Sequence, residues 1–289
     1  MTRLAQHPGI LSYRADANSI GTVTFVTFEA EIVLRHFKDL ESEAAIGVSF
    51  GLPPDGVRDL AAEYFPPVTG EARRIASELW DSRDTYSKES VSEFLDILVT
   101  CIPVKRVPPK GYVSFMEAML MFPAGRRPWL AVIEAIVYGR VKSVLRRDFV
   151  STPKIKGLLG QISLSGIEQQ RERMIADHAN APTYDIGKVS AVAANLMLGI
   201  YNHHVFMACA KAGLLTPDDK GAVAYEEVLQ FARRHIFANE AAVRARNSSR
   251  SIETWLLDRG VKPLFKFDNA KGGVIYDREL VEPHLLLRA

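Results

Sequence analysis

Small polar and basic side chains cluster at the start of one short predicted helix late in the sequence. Ser248, Ser249 and Arg250 precede an apolar stripe, and a serine oxygen at such a position can accept from the free N–H groups of the first helical turn. The positive end of a helix also favours an anion. These residues are therefore suited to contacting phosphate, and Thr254 on the same helix is left outward to reach a base edge.

The elements that must hold these residues are predicted to be a helix–turn–helix with a wing, within residues 239–285. A second helix over about 250–259 has Ile252, Leu256 and Leu257 facing inward, and Gly260 ends it. Two short strands, 262–267 and 273–276, flank a Gly-containing turn and predict a β-hairpin. A helix of this width fits the major groove of DNA.

Three lysines lie on or near this predicted wing. They are Lys262, Lys266 and Lys271, and they are placed to follow a neighbouring nucleic-acid backbone. Glu253 and Asp258 on the second helix favour the alternative that the unit is an α-hairpin used for packing, with solvated lysines.

The middle of the sequence holds a denser basic stretch. Residues 105–156 contain eleven Lys and Arg against three Asp and Glu, which is enough charge to neutralise several phosphates. The predicted contacts here are Arg126, Arg127, Arg146, Arg147, Lys154 and Lys156. Arg126 and Arg127 lie in a turn before a helix that has Pro128 in its first position. The alternative is a solvated basic face or a dock for an acidic protein.

Asn202, His203 and His204 stand at the predicted start of another helix. A histidine pair invites a metal hypothesis, but no Cys, Glu or third His stands at a useful spacing, so we predict no metal. Capping of the helix or contact with a DNA backbone is the favoured role, and Asn202 and His203 join the predicted DNA contacts.

Paired segments suggest an internal repeat. Residues 43–65 resemble 192–215, and residues 114–141 resemble 237–261, in the spacing of Gly, Val and Glu positions. The fold is therefore predicted to be mainly α, built from tandem winged helix–turn–helix units with short β-hairpins. The predicted domains are an N-terminal segment (1–36), a first pair of units (37–165), a linking helix (166–182) and a second pair with the wing (183–289).

Composition limits the function classes. The 289 residues carry a net charge of +2, but residues 1–100 carry −7 and residues 101–180 carry +7. An acidic first third suits a protein partner, and a basic middle suits a polyanion. No apolar run is long enough to span a membrane, and the sequence suits a cytoplasmic, nucleoid-associated protein. No Gly-rich phosphate loop, nucleophile elbow or zinc-protease helix occurs, so we predict neither an enzyme nor a cofactor.

A family resemblance rests on phrases in the last third of the sequence. They are Ala193-Ala194 with Leu198-Gly199-Ile200, Ala212-Gly213-Leu214-Leu215, residues 225–231, and Ser248–Arg250 running on to Gly260-Val261-Lys262-Pro263-Leu264. About 100 residues resemble the C-terminal DNA-binding half of TniQ/TnsD-type transposition targeting proteins, and more loosely the winged helix of MerR-like and excisionase-like proteins. The resemblance implies helix–turn–helix DNA binding; the Cys-rich zinc motif usual in such proteins is absent.

Two functional hypotheses follow from the sequence. The first is a double-stranded DNA-binding protein of a bacterial mobile element, acting as a regulator or as a targeting or recombination accessory factor. The second is a protein-interaction adaptor in which the helix–turn–helix units are scaffolding. The sequence leaves the oligomeric state, the DNA site and any protein partner open.

Overall fold

The computed structural model describes residues 13–15, 23–25, 39–70, 84–146, 157–200, 202–267 and 273–286. These residues form mainly helices, joined by sheets of two to four short strands. The prediction of a mainly α fold is confirmed at this level. The chain divides into one unit of Met1–Ile46 with Ala61–Asp96, and a second of Gly47–Leu60 with Ile97–Ala289. The domain boundaries expected from the sequence stay a prediction.

The first elements in chain order are short strands and three helices. They are β1 (Tyr13–Ala15), β2 (Val23–Phe25), β3 (Leu40–Ser42), α1 (Glu43–Phe50), α2 (Pro54–Tyr64), β4 (Thr85–Ser87) and α3 (Lys88–Cys101). β3 and β4 pair antiparallel, with Glu41 opposite Tyr86. α2 is amphipathic, since its Val57, Leu60 and Ala61 recur at helical spacing and are buried.

The basic middle of the sequence forms a four-stranded sheet with two helices. Its elements are β5 (Val104–Lys105), β6 (Val113–Ser114), α4 (Phe115–Met119), α5 (Trp129–Val137), β7 (Lys142–Arg146) and β8 (Ile162–Ser165). The strand order is β5-β7-β8-β6, in which β5 and β7 are parallel and the other pairs antiparallel. Ser114 caps α4, because its Oγ accepts from the Glu117 N–H at 3.2 Å.

The next segment is a helical unit closed by a two-stranded sheet. It contains α6 (Ile167–Ala179), β9 (Lys188–Val189), α7 (Ala191–Leu198), α8 (His203–Lys211), β10 (Val223–Ala224) and α9 (Tyr225–Arg234). β9 and β10 pair antiparallel. α7 ends at Gly199, whose φ of 70° lies in the left-handed region that glycine adopts without steric cost.

The last segment begins directly after α9. It contains β11 (His235–Phe237), α10 (Ala238–Arg244), α11 (Ile252–Leu257), β12 (Phe265–Lys266), β13 (Val274–Asp277) and α12 (Arg278–Val281). Its sheet has the order β11-β13-β12, with both pairs antiparallel. The predicted strand 262–267 is present in shortened form as β12, and the predicted strand 273–276 is present one residue later as β13.

One order of elements occurs twice in the second unit. A strand (β6 or β11) is followed by two helices and two further strands, and the last strand (β8 or β13) lies between the other two. The described elements from β3 to α3, which leave out residues 71–83, and those from β9 to α9 both have the order strand–helix–helix–strand–helix. The described elements of the two predicted halves thus have similar orders, except that β5 has no counterpart in the second half, and the duplication itself stays a prediction.

Two apolar clusters form the core of the C-terminal half. The first joins α7, α8 and α9 through residues such as Met197, Phe206 and Val228, and it continues to Phe237 and Ile275 of the following sheet. The second fills the space between α10, α11 and the outer face of that sheet. Helix and sheet faces that are apolar on one side are buried against each other, which is the main stabilising contribution to this fold.

Candidate nucleic-acid interface

The turn between α10 and α11 is held by its own side chains. Arg246 has a positive φ of 53°, and the Asn247 side chain accepts from the Ser248 N–H at 2.7 Å. Ser248 Oγ accepts from the Ser251 N–H at 3.2 Å, so Ser248 caps the turn that leads into α11. The predicted helix over 250–259 was too long, because this turn takes up residues 248–251 and α11 begins only at Ile252.

Most predicted contact residues of this hairpin are exposed. Ser248, Ser249, Arg250, Thr254 and Lys262 all lie on the surface, and neither Arg250 nor Lys262 forms an ion pair with another described residue. The prediction that Leu257 faces inward was wrong, since its side chain is 56% exposed. α11 has six residues, so its backbone dipole adds less than a longer helix would, and the exposed side chains must make any contact.

The wing presents one paired and one unpaired lysine in its described part. Lys266 on β12 donates to Glu253 Oε2 at 2.8 Å, which ties the wing to α11. Lys262 precedes β12 and is exposed. The predicted contact Lys271 lies outside the described residues.

A second set of basic side chains, here called the basic edge, lies on β5, on β7 and on the loop after β5. It consists of the exposed side chains of Lys105, Arg106, Lys110, Lys142 and Arg146. Lys105 on β5 stands directly opposite Arg146 on β7, so two cations occupy neighbouring positions on adjacent strands.

Of the contacts predicted in this stretch, Arg146 alone belongs to the described basic edge. Arg147, Lys154 and Lys156 lie outside the described residues. The sequence did not single out Lys105, Arg106, Lys110 or Lys142, although the high local density of basic residues was the signal that could have done so.

The structure contradicts the predicted roles of Arg126 and Arg127. Arg127 is 1% exposed, donates to the carbonyl oxygens of Leu196 and Met197 at 2.7 and 2.6 Å, and lies 3.8 Å from the Glu240 carboxylate. A side chain enclosed in this way cannot reach an external phosphate. The position of Pro128 also differs, because it precedes α5 as the cap residue and Trp129 takes the first helical position.

Arg126 is held by an acidic cluster next to the same turn. Its guanidinium donates to the Pro182 carbonyl oxygen, lies 3.9 Å from Asp59 Oδ1, and stacks over the Tyr184 ring at 5.8 Å. These contacts hold the guanidinium against the fold, although the side chain keeps 22% of its surface exposed. Arg126 is therefore a partly buried structural contact rather than a free surface cation.

The acidic side of this cluster is unusually buried. Asp55 and Asp59 stand one turn apart on α2 and are 0% and 3% exposed. Burial and, next, the nearby negative charge of Asp59 raise the pKa of Asp55 to about 7. Burial also raises the pKa of Asp59, while a hydrogen bond with Tyr184 and the charge of Arg126 act to lower it. Burial lowers the pKa of His178 to about 4, and the charge of Arg126 acts in the same direction.

The helix pair α7–α8 presents a polar face to solvent. Asn202 caps α8, because its Oδ1 accepts from the His204 N–H at 3.0 Å, and this confirms the predicted capping role. His203 and His204 are exposed, and Met207 and Lys211 are exposed on the following turns of α8. The sequence did not single out Met207 or Lys211. Their spacing from His203, four and eight residues, was the available signal.

A buried ion network joins the C-terminal helices. Glu240 is 0% exposed and accepts from Arg244 at 3.0 Å and from Arg278 at 2.8 Å, and Glu282 pairs with both of these arginines. Burial alone would raise the pKa of the Glu240 carboxyl, but Arg278, Arg127 and Arg244 hold it below its ordinary value. The network fixes α10 against α12 and, through Arg127, against the turn before α5.

Comparisons with known protein families, with curated proteins and with solved structures give no match to this chain. Within the described ranges, no helix combines the length and the apolar character needed to cross a bilayer. In the same ranges, no three or more His, Cys, Asp or Glu side chains are grouped to hold a metal ion.

Proposed function

We propose that this protein binds double-stranded DNA through winged helix–turn–helix units. The observation that carries the proposal is the order strand, helix, helix, strand, strand, which the described elements show over β6 to β8 and over β11 to β13, with the last strand between the other two. A helix pair followed by a hairpin that pairs back onto the first strand is the arrangement of a winged helix–turn–helix. Residues 104–165 and 225–277 are the two proposed units that have a wing.

Exposed cations support the proposal in both units. The first carries the basic edge, in which Lys105 and Arg146 lie side by side on adjacent strands. The second carries Arg250 and Lys262 at the exposed ends of α11. Each such cation that meets a phosphate releases condensed counterions, so the affinity should fall steeply with salt. A role as regulator or as targeting or recombination accessory factor of a mobile element rests on the resemblance to TniQ/TnsD-type proteins and is part of this proposal.

Fluorescence anisotropy with a labelled duplex of about 40 base pairs tests the proposal. We expect binding at about 50 mM salt that weakens by roughly 10-fold or more at 200 mM. The double charge reversal R250E/K262E should weaken binding about 10-fold or more at low salt. The matched control R173E/R233E makes the same change in net charge at two exposed arginines outside the proposed contacts. It should bind nearly as the unaltered protein does.

Two results would contradict the proposal. One is the absence of duplex binding at about 50 mM salt, which would favour the protein-interaction adaptor. The other is an equal loss of affinity in both double variants, because that outcome would show a dependence on net charge alone.

A further inference from the structure

The four second helices in the helix–turn–helix pairs differ in what they expose. In α5, every residue from Trp129 to Val137 is buried or half-buried, and Trp129, Val132 and Ile133 are 0% exposed, so this helix is occupied by packing. In α2, the first turns are buried, and the exposed residues are Ala62 and the acidic Glu63, which phosphate would repel. α8 and α11 are the ones with exposed side chains suited to a DNA groove.

The exposed face of α8 suits DNA. It presents His203, His204, Met207 and Lys211, and the helix carries no acidic residue. Imidazole and ammonium groups can donate to phosphate or to base acceptors, and a thioether can contact a thymine methyl group. α11 presents Thr254 and Leu257, with Arg250 in the turn before it, while its Glu253 is paired with Lys266.

No linker separates α8 from α11. α9 packs against α7 and α8 in one apolar cluster, and this cluster continues to Phe237 of β11 and Ile275 of β13. β11 begins at His235, the residue after α9 ends at Arg234. α9 thus packs against the pair α7–α8 that precedes it and is also the first helix of the proposed unit that contains α10 and α11.

Buried hydrogen bonds reinforce this junction. Arg278 Nε donates to the Ala232 carbonyl oxygen at 2.7 Å, and its Nη2 donates to the His235 carbonyl oxygen at 3.0 Å. The same side chain pairs with Glu240 on α10. Any change in the separation of α8 and α11 would break these contacts and open the shared core, so the separation is fixed.

We infer that α8 and α11 of a single chain read two segments of one duplex at a fixed spacing. The inference rests on the proposed DNA-binding function and deepens it, since it names the two reading helices and the kind of site. A rigid pair cannot follow its second segment when that segment is moved along or around the duplex. A pair on a flexible linker could do so.

The test begins with a site obtained from a pool of random duplexes of about 40 base pairs by repeated capture on the full chain, followed by footprinting. Duplexes with about 2, 5 or 10 base pairs inserted between the two protected segments are then compared by anisotropy. We expect each insertion to weaken binding about 10- to 100-fold. The 10-base-pair insertion should not recover the affinity, because it restores the helical face but adds about 34 Å.

The variant H203A/M207A/K211A identifies the helix that reads the second segment. On the uninserted site it should weaken binding about as much as an insertion does, and on an inserted site it should cause little further loss. R173A, an exposed substitution on α6, is the matched control. Circular dichroism and thermal unfolding show whether the triple variant folds; all three positions are exposed, so we expect the native transition.

The outcomes separate this inference from the proposed function. If no duplex is retained at about 50 mM salt, the proposed function fails and the inference fails with it. If a duplex is bound but one protected segment is found, the inference alone is overturned. The same holds if the 10-base-pair insertion restores affinity, or if the folded triple variant binds like the unaltered chain.

Discussion

Glu240 lies close to Arg127, Arg244 and Arg278, and it is 0% exposed. Removing one partner of a buried ion network leaves uncompensated charge in a medium of low polarity. We therefore expect Glu240→Ala to lower the free energy of unfolding by about 3–5 kcal/mol, measured by urea denaturation. The control is Glu226→Ala, whose pair with Arg233 is solvent-exposed, and it should cost about 0–1 kcal/mol. Equal losses in the two variants would disprove a stabilising role for the network.

Asp55 predicts a pH dependence of stability. Its pKa rises from an ordinary value of 3.8 to about 7 in the folded protein, first because of burial and then because of Asp59. The folded state therefore holds a proton that the unfolded state has lost between about pH 4 and pH 7. Stability from this group is full below pH 4 and is lost as pH rises towards 7.

Asp55→Asn should remove this dependence, because the amide stays neutral at every pH. We expect the variant to be more stable than the unaltered protein at pH 8, by on the order of a few kcal/mol, and nearly equal to it at pH 4. Urea denaturation of both proteins at the two pH values provides the comparison, with the exposed substitution Asp219→Asn as control. A constant difference between the proteins at both pH values would argue against a buried, protonated Asp55.

At the scale of elements, the turn between α7 and α8 depends on Gly199. Its φ is +70°, and a Cβ there would overlap Leu120 Cδ2 and lie 3.1 Å from Arg127 Nη2. Gly199→Ala should therefore combine about 1–2 kcal/mol of backbone strain with about 1–3 kcal/mol of overpacking. Gly213 is the matched control, since its φ is +71° but nothing lies within 4 Å of its added Cβ.

The comparison of the two glycine variants isolates close packing from backbone strain. Gly213→Ala should lower the free energy of unfolding by about 1–2 kcal/mol, and Gly199→Ala by clearly more. Thermal or urea unfolding measures both. Similar losses would mean that the α7–α8 turn does not pack tightly against the residues around Leu120.

The sequence predicts elements well where the signal is local. The cap at Asn202 and the strand pair around β12 and β13 each depend on a few neighbouring residues. The length of α11 was not predictable in the same way. Asn247, Ser248 and Ser251 bond to one another and hold the backbone in a turn, in competition with the start of a helix.

At the scale of the whole molecule, the candidate site was only partly predictable. Basic density along the sequence pointed to the right region, but it could not separate Arg146 on the surface from Arg127 in the interior. That difference depends on Glu240, Leu196 and Met197, which lie 69 to 113 positions further along the chain. Local patterns carry no information about contacts of this range.

The net charge of a sequence segment also does not predict the charge of the surface that it forms. Residues 101–180 carry a strong basic excess, yet Arg126, Arg127 and Arg171 form contacts inside the fold. The Arg171 Nε, for example, donates to the Met121 carbonyl oxygen at 2.8 Å. Other cations, such as Lys142 on β7 and Lys262 after α11, remain exposed. Surface electrostatics is therefore set by which arginines the packing uses.

The helix common to two neighbouring pairs, α9, has a consequence for any attempt to take the protein apart. A fragment that ends before Tyr225 would lack the helix that packs against α7 and α8. A fragment that begins after Arg234 would lack the helix that precedes α10 and α11. We therefore expect neither helix pair to fold independently when it is fused to another protein. During evolution, insertions and exchanges should therefore have been tolerated in the surface loops on either side of this helix but not at the junction itself.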